Sequence, residues 1–105
     1  MATVPDEIIN KVKLFVEQAR DEFDVKRAIL FGSYAKGNFT EESDIDVCIV
    51  INGIENNFSA ALAIAPKVIK IDSRIEPVVF SVDEFENEGD FGLLKEIKNY
   101  GITVF

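Results

Sequence analysis

The chain has 105 residues, 48% of them apolar and 29% charged, with 19 acids against 11 bases and a formal charge of −8. That length predicts one domain spanning residues 1–105 with a modest core, and the acidic balance argues against direct nucleic-acid binding, whose affinity rests on Lys and Arg meeting phosphates. One cysteine and no histidine remove intrachain disulfides, His-ligated zinc and His-based catalytic triads from consideration.

Met1 to Asp6 lack the basic-then-apolar order of a signal peptide, and no apolar run nears the roughly 20 residues that span a bilayer. A cytoplasmic protein without membrane contact is expected. Residues 5 to 22 form an expected amphipathic helix, because Ile8, Val12, Phe15, Val16, Ala19 and Phe23 recur at three- and four-residue spacing. Thr3 is the expected cap, Pro5 suits the first turn, and Asp6 and Glu7 favour the positive end of the dipole. Residues 27 to 31 read as a strand stopped by Gly32, Ser33 to Lys36 as a short helix, and residues 45 to 51 as a second strand. Cys48 lies inside that apolar strand and reads as a reduced core thiol.

Asn52-Gly53 marks a turn, and residues 55 to 57 read as loop. Residues 58 to 70 are an expected helix, kinked or split at Pro66. Residues 74 to 80 read as a third strand with Arg74, Glu76, Val78 and Phe80 on one face, and Pro77 points to a sheet edge. A short helical turn follows at Ser81, Asp83 and Glu84. Residues 90 to 100 are a further expected helix with Leu93, Leu94 and Ile97 inward and Gly101 as terminator, and Ile102 to Phe105 a last short strand. The order predicts a small α/β or α+β domain with a mixed sheet flanked by helices.

The densest chemistry lies between Gly32 and Ile51. Asp44 and Asp46 alternate with Ile45 and therefore point the same way. Two carboxylates held close repel, and a divalent cation relieves the repulsion; magnesium prefers hard oxygen ligands and is held by one or two carboxylates plus substrate phosphates. Gly32 has no Cβ and admits a phosphate or a neighbouring chain, while Ser33 opens a helix whose first amides and positive dipole end suit an anion. Gly-Ser or Asp-x-Asp alone is a common turn or strand flank. The combination of both, placed between two strands, reads as a phosphate cradle facing a metal-carboxylate pair.

Gly32-Ser33-Tyr34-Ala35-Lys36-Gly37 and Ser43-Asp44-Ile45-Asp46 resemble the signature of the DNA polymerase beta-like nucleotidyltransferase superfamily. The likeness is to its small prokaryotic branch, the minimal nucleotidyltransferases that serve as antitoxins of HEPN-domain toxins. The resemblance implies that fold, a nucleoside triphosphate as donor, and magnesium-dependent transfer of AMP from ATP to a hydroxyl with pyrophosphate leaving. It implies two Mg2+ ions held by Asp44 and Asp46, and a third acid from a later strand. Asp72, Glu76 and Asp83 are the candidates, and Glu76 stands best placed, at the start of the third strand. A Glu departs from the family's usual Asp, and an ion pair with Arg74 is the alternative role. Gly32 and Ser33 would hold the β- and γ-phosphates. Lys36 stands where many relatives carry Arg, so it would neutralise a triphosphate as a point charge without a bidentate fork.

The acceptor implied for that branch is a tyrosine hydroxyl of the partner HEPN toxin. Three other readings stay open: a catalytically inactive acidic module that masks a toxin stoichiometrically, an antibiotic-modifying nucleotidyltransferase, and a housekeeping subunit whose acceptor arrives with another chain. Homo-oligomerisation is also open.

Overall fold

The computed structural model describes residues 3–87 and 92–105. In chain order its elements are α1 (Asp6–Arg20), β1 (Asp24–Phe31), α2 (Ser33–Lys36), β2 (Ile45–Asn52), α3 (Asn57–Ile71), β3 (Ile75–Ser81), α4 (Val82–Asn87), α5 (Gly92–Tyr100) and β4 (Ile102–Thr103). The strands form one mixed sheet in the order β3-β2-β1-β4. β1 runs antiparallel to β2 and β4, and β2 runs parallel to β3. A parallel pair needs a long crossover, which α3 provides.

β2 is central, and its sequence shows it. Val47, Ile49 and Ile51 face one layer with α1 and α3, and Cys48 and Val50 face the other with α4 and α5. A strand covered on both faces reads as an unbroken apolar run rather than an alternating one. Cys48 is fully buried, and desolvation pushes its thiol up to about 12, so it stays a protonated core residue. β3 is an edge strand, as Pro77 requires. Among the described residues no helix is long and apolar enough to cross a membrane.

The predicted elements recur with shifted ends. Ile8, Val12, Phe15, Val16 and Ala19 are buried as their spacing requires, but the N-cap of α1 is Pro5, not Thr3, and it makes no side-chain cap bond. β1 begins at Asp24, three residues earlier than expected, with an irregularity in its pairing between Val25 and Arg27. α3 is one continuous helix of 15 residues rather than two pieces, opened by Asn56, whose side chain accepts a bond from the Ser59 amide at 3.1 Å. Pro66 is exposed on it. α4 starts with a reciprocal capping box: Ser81 Oγ accepts from the Glu84 amide and Glu84 Oε1 from the Ser81 amide. Leu94 and Ile97 of α5 are buried, but Leu93, expected inward, is exposed. The expected start of that helix at residues 90 and 91 lies outside the described residues.

Asp72 ties three elements together. It caps the C-terminus of α3 with its side chain only 9% exposed. It accepts from Arg74 Nη2 at 2.7 Å, Arg74 Nε at 3.0 Å, the Arg74 amide at 2.9 Å and Lys11 Nζ of α1 at 2.8 Å. The Arg74 guanidinium first, and Lys11 after it, hold this carboxyl well below the usual carboxylate range. A depressed folded value means a contribution present above the ordinary aspartate value of about 4 and lost as pH falls through that region. Asp72→Asn should therefore cost about 1–3 kcal/mol near neutral pH, and the gap to wild type should shrink at pH 3. Urea melts at the two pH values check this; equal gaps would contradict it.

Candidate active site

Two adjacent strands bring the candidate acids together. Asp46 on β2 and Glu76 on β3 are direct register partners in the parallel pair. Both lie on the face that carries Cys48, Val50, Val78 and Phe80, the side covered by α4 and α5. Asp44 is exposed, one residue before β2, and Glu76 is exposed on the edge strand, while Asp46 is half-buried between them. Burial raises the Asp46 carboxyl above its ordinary value, and the charges of Glu76, Asp44 and Glu96 raise it further. The field at Asp46 is thus one that a cation would relieve.

Gly32 forms the wall beside this carboxyl. Its φ of 75° and ψ of −149° belong to a backbone region open to glycine. A Cβ at this position would lie 3.1 Å from Asp46 Cγ and closer still to Asp46 Oδ2. The glycine is therefore required twice, by its own conformation and by the approach of the acid. It caps α2, and Lys36 N and Gly37 N donate to the carbonyls of Gly32 and Ser33 at 3.0 Å each. The amides at the start of α2 have no acceptor within the helix, and Gly32, which precedes them, lies against the Asp46 carboxyl.

Lys36 closes the other side. Its ammonium is paired with Glu96 of α5 and lies 5.7 Å from the Tyr100 ring centroid. Glu96 is a member of this cluster that sequence reasoning missed. It stands 60 residues from Lys36, and no local spacing signals a contact of that separation.

Arg74 is the second residue missed. The ion pair with Glu76, the alternative role for that acid, is not formed, because Arg74 precedes β3 and its guanidinium bonds Asp72, Tyr34 and Glu41 instead. Nη1 donates to the Glu41 carbonyl at 2.8 Å and to the Tyr34 hydroxyl at 3.2 Å. The Ile45 amide donates to the Arg74 carbonyl at 2.8 Å. Tyr34 also stacks on Phe39, ring centroids 4.5 Å apart. These contacts anchor residues 37–44, the connection between the glycine wall and the Asp44–Asp46 pair. Asp72, one of the candidate third acids, is thereby engaged structurally, and Asp83 lies on α4 with its carboxylate accepting from Asn87.

The donor set suits magnesium: hard carboxylate oxygens on one sheet face and a field at Asp46 that favours positive charge. Among the described residues no three acidic side chains stand close enough to hold a metal ion between them.

The sequence pattern of the family described as "Nucleotidyltransferase domain" matches residues 9–104. A Methanocaldococcus jannaschii protein named "Putative protein adenylyltransferase MJ0141" is 34% identical over 105 residues, covering 93% of this chain and 99% of its own length. Among solved structures, a "putative nucleotidyltransferase" from Sulfolobus solfataricus superposes with a TM-score of 0.65 at 21% identity, over 91% of this chain and 78% of the other. A toxin-antitoxin crystallised with AMP-PNP superposes with a TM-score of 0.66 at 22% identity, over 92% of this chain and 72% of the other. These two likenesses establish the fold.

Two outcomes are expected. Asp46→Asn removes a charge from a repulsive field, so it should raise the melting temperature of metal-free protein by up to about 4–8 °C, the shift that 1 kcal/mol produces in a domain of this size. It should also erase the added stability that magnesium gives wild type; thermal-shift curves with and without Mg2+ read both, and an unchanged magnesium response would contradict the assignment. Arg74→Ala should release residues 37–44, seen as faster amide exchange there while β1 and β2 stay protected.

Proposed function

Because the chain belongs to the nucleotidyltransferase domain family, we propose that residues 1–105 act as one domain that transfers AMP from ATP to a hydroxyl of a partner protein. The observation that carries this reading is the register pairing of Asp46 with Glu76 beside the glycine wall. It gives one side of the site to carboxylates and the other to amide donors. A nucleoside triphosphate needs both kinds of group, because its phosphates must be held and their charge must be met.

Each residue then has a task. The peptide from Gly32 to Ser33, with the first amides of α2, receives the β- and γ-phosphates. Lys36 leaves Glu96 for the triphosphate as a point charge. Asp44, Asp46 and Glu76 would hold two Mg2+ ions, which when bound supply charge neutralisation and Lewis acidity at the phosphates. The acceptor oxygen attacks the α-phosphorus, the bond to the β-phosphate oxygen breaks, and pyrophosphate departs. Glu76, exposed on the edge strand, either ligates the second ion or takes the acceptor proton. The open flank of the edge strand leaves room for a macromolecular acceptor.

The acceptor expected from the family branch is a tyrosine of a HEPN-domain toxin. A net charge of −8 favours a basic or neutral partner over nucleic acid, and a donor such as ATP places the reaction in the cytoplasm. Incubating the protein with its genomic neighbour, α-labelled ATP and Mg2+ should label the neighbour on tyrosine. Asp44→Asn and Glu76→Gln should lower the rate by at least about 100-fold, the scale on which positioned acid–base and charge-stabilising groups act. Neutralisation of the neighbour by wild type and Asp44→Asn alike, without label transfer, would instead favour stoichiometric masking.

A further inference from the structure

The outer face of α3 is unlike the rest of the surface. Phe58, Leu62 and Ile69 are 70%, 59% and 78% exposed. With Ala65, also exposed, they fall at i, i+4, i+7 and i+11, one narrow stripe opposite the buried Ala60, Ile64 and Val68. No charged residue interrupts that stripe. The outer face of α1, in contrast, carries Glu7, Lys13 and Glu17. An apolar stripe this continuous on a chain with 29% charged residues marks a contact surface.

The stripe is also symmetric in sequence. Phe58 and Ile69 lie equally far from a point midway between Ala63 and Ile64, and so do Leu62 and Ala65. We propose that this face binds a second copy of the chain, the two α3 helices packing antiparallel about a two-fold axis through that midpoint. Phe58 of each copy then meets Ile69 of the other, and the large Leu62 fits over the small Ala65. Such an interface is isologous and closes at two copies. The ends of the stripe are complementary in charge. Lys70 flanks the C-terminal end and Glu55 the N-terminal end, both exposed, and antiparallel packing sets Lys70 opposite Asn57 of the second copy, two residues from its Glu55. The helix dipoles oppose one another in the same arrangement. The acids of the candidate active site lie on the opposite face of the sheet from α3. Dimerisation therefore leaves both sites open to an acceptor, and the inference is independent of the catalytic reading.

Sedimentation equilibrium of the full chain tests it. Wild type should rise from 11.7 kDa toward twice that mass as concentration climbs through the micromolar range. Leu62→Glu and Ala65→Lys should each stay monomeric with unchanged circular dichroism, since both positions are exposed and their folding does not depend on them. Mixing the two variants should restore the dimer, because the new carboxylate faces the new ammonium in this register and in no shifted one. A wild-type chain that stays monomeric, a Leu62→Glu variant that still dimerises, or a mixture that does not associate would each overturn the proposal. Protection of α3 from hydrogen exchange only beside a different protein would assign the face to that protein and overturn it equally.

Discussion

Like charges lie side by side at one end of this sheet. Asp46 and Glu76 are neighbours in a parallel ladder, an arrangement that destabilises a sheet, and Asp44 and Glu96 add to the same field. Nothing in the packing of the core asks for those acids. The strands that carry them are held by apolar contacts on both faces, with Ile45, Val47, Ile49 and Ile51 on one side and Cys48, Val50, Val78 and Phe80 on the other. The core is thus strong enough to hold the acids where their own electrostatics would separate them. Burial and that repulsion raise the Asp46 carboxyl above its ordinary value, and the repulsion is of the kind a cation would relieve.

The surroundings of the acids are fixed by contacts of other kinds. Gly32 sets the distance between the first turn of α2 and the Asp46 carboxyl by sterics alone. Arg74 fixes the intervening connection by bonding a carboxylate, a carbonyl and a hydroxyl with one guanidinium. Lys36 is paired with Glu96 of α5. The arrangement rests on rigid elements rather than on a long mobile loop, which is what precise placement of a reacting phosphate requires.

The two layers divide the molecule's work. The layer of α4 and α5 shares its sheet face with the candidate site. The layer of α1 and α3 supplies the larger part of the core, and its outer surface is free for association. α3 is buried along Ala60, Ile64 and Val68 and apolar again along its exposed side. Its sequence is rich in Ala, Leu and Ile around most of its circumference, and that composition alone obscured which residues faced inward.

Much of this was legible in the residues. The three-and-four spacing of α1, the unbroken apolar run of β2 and the edge placement of Pro77 each follow from local periodicity or backbone chemistry, which a linear chain displays directly. So does the short helix after Gly32. Contacts between distant segments were decided only by the tertiary structure. The register that sets Glu76 against Asp46, the reach of Arg74 to Tyr34 and Glu41, and the capture of Lys36 by Glu96 all join residues about 30 to 60 positions apart. Such partners are chosen by how strands pair and helices dock, and the energy that chooses them is spread over the whole core, so no single stretch of sequence carries it.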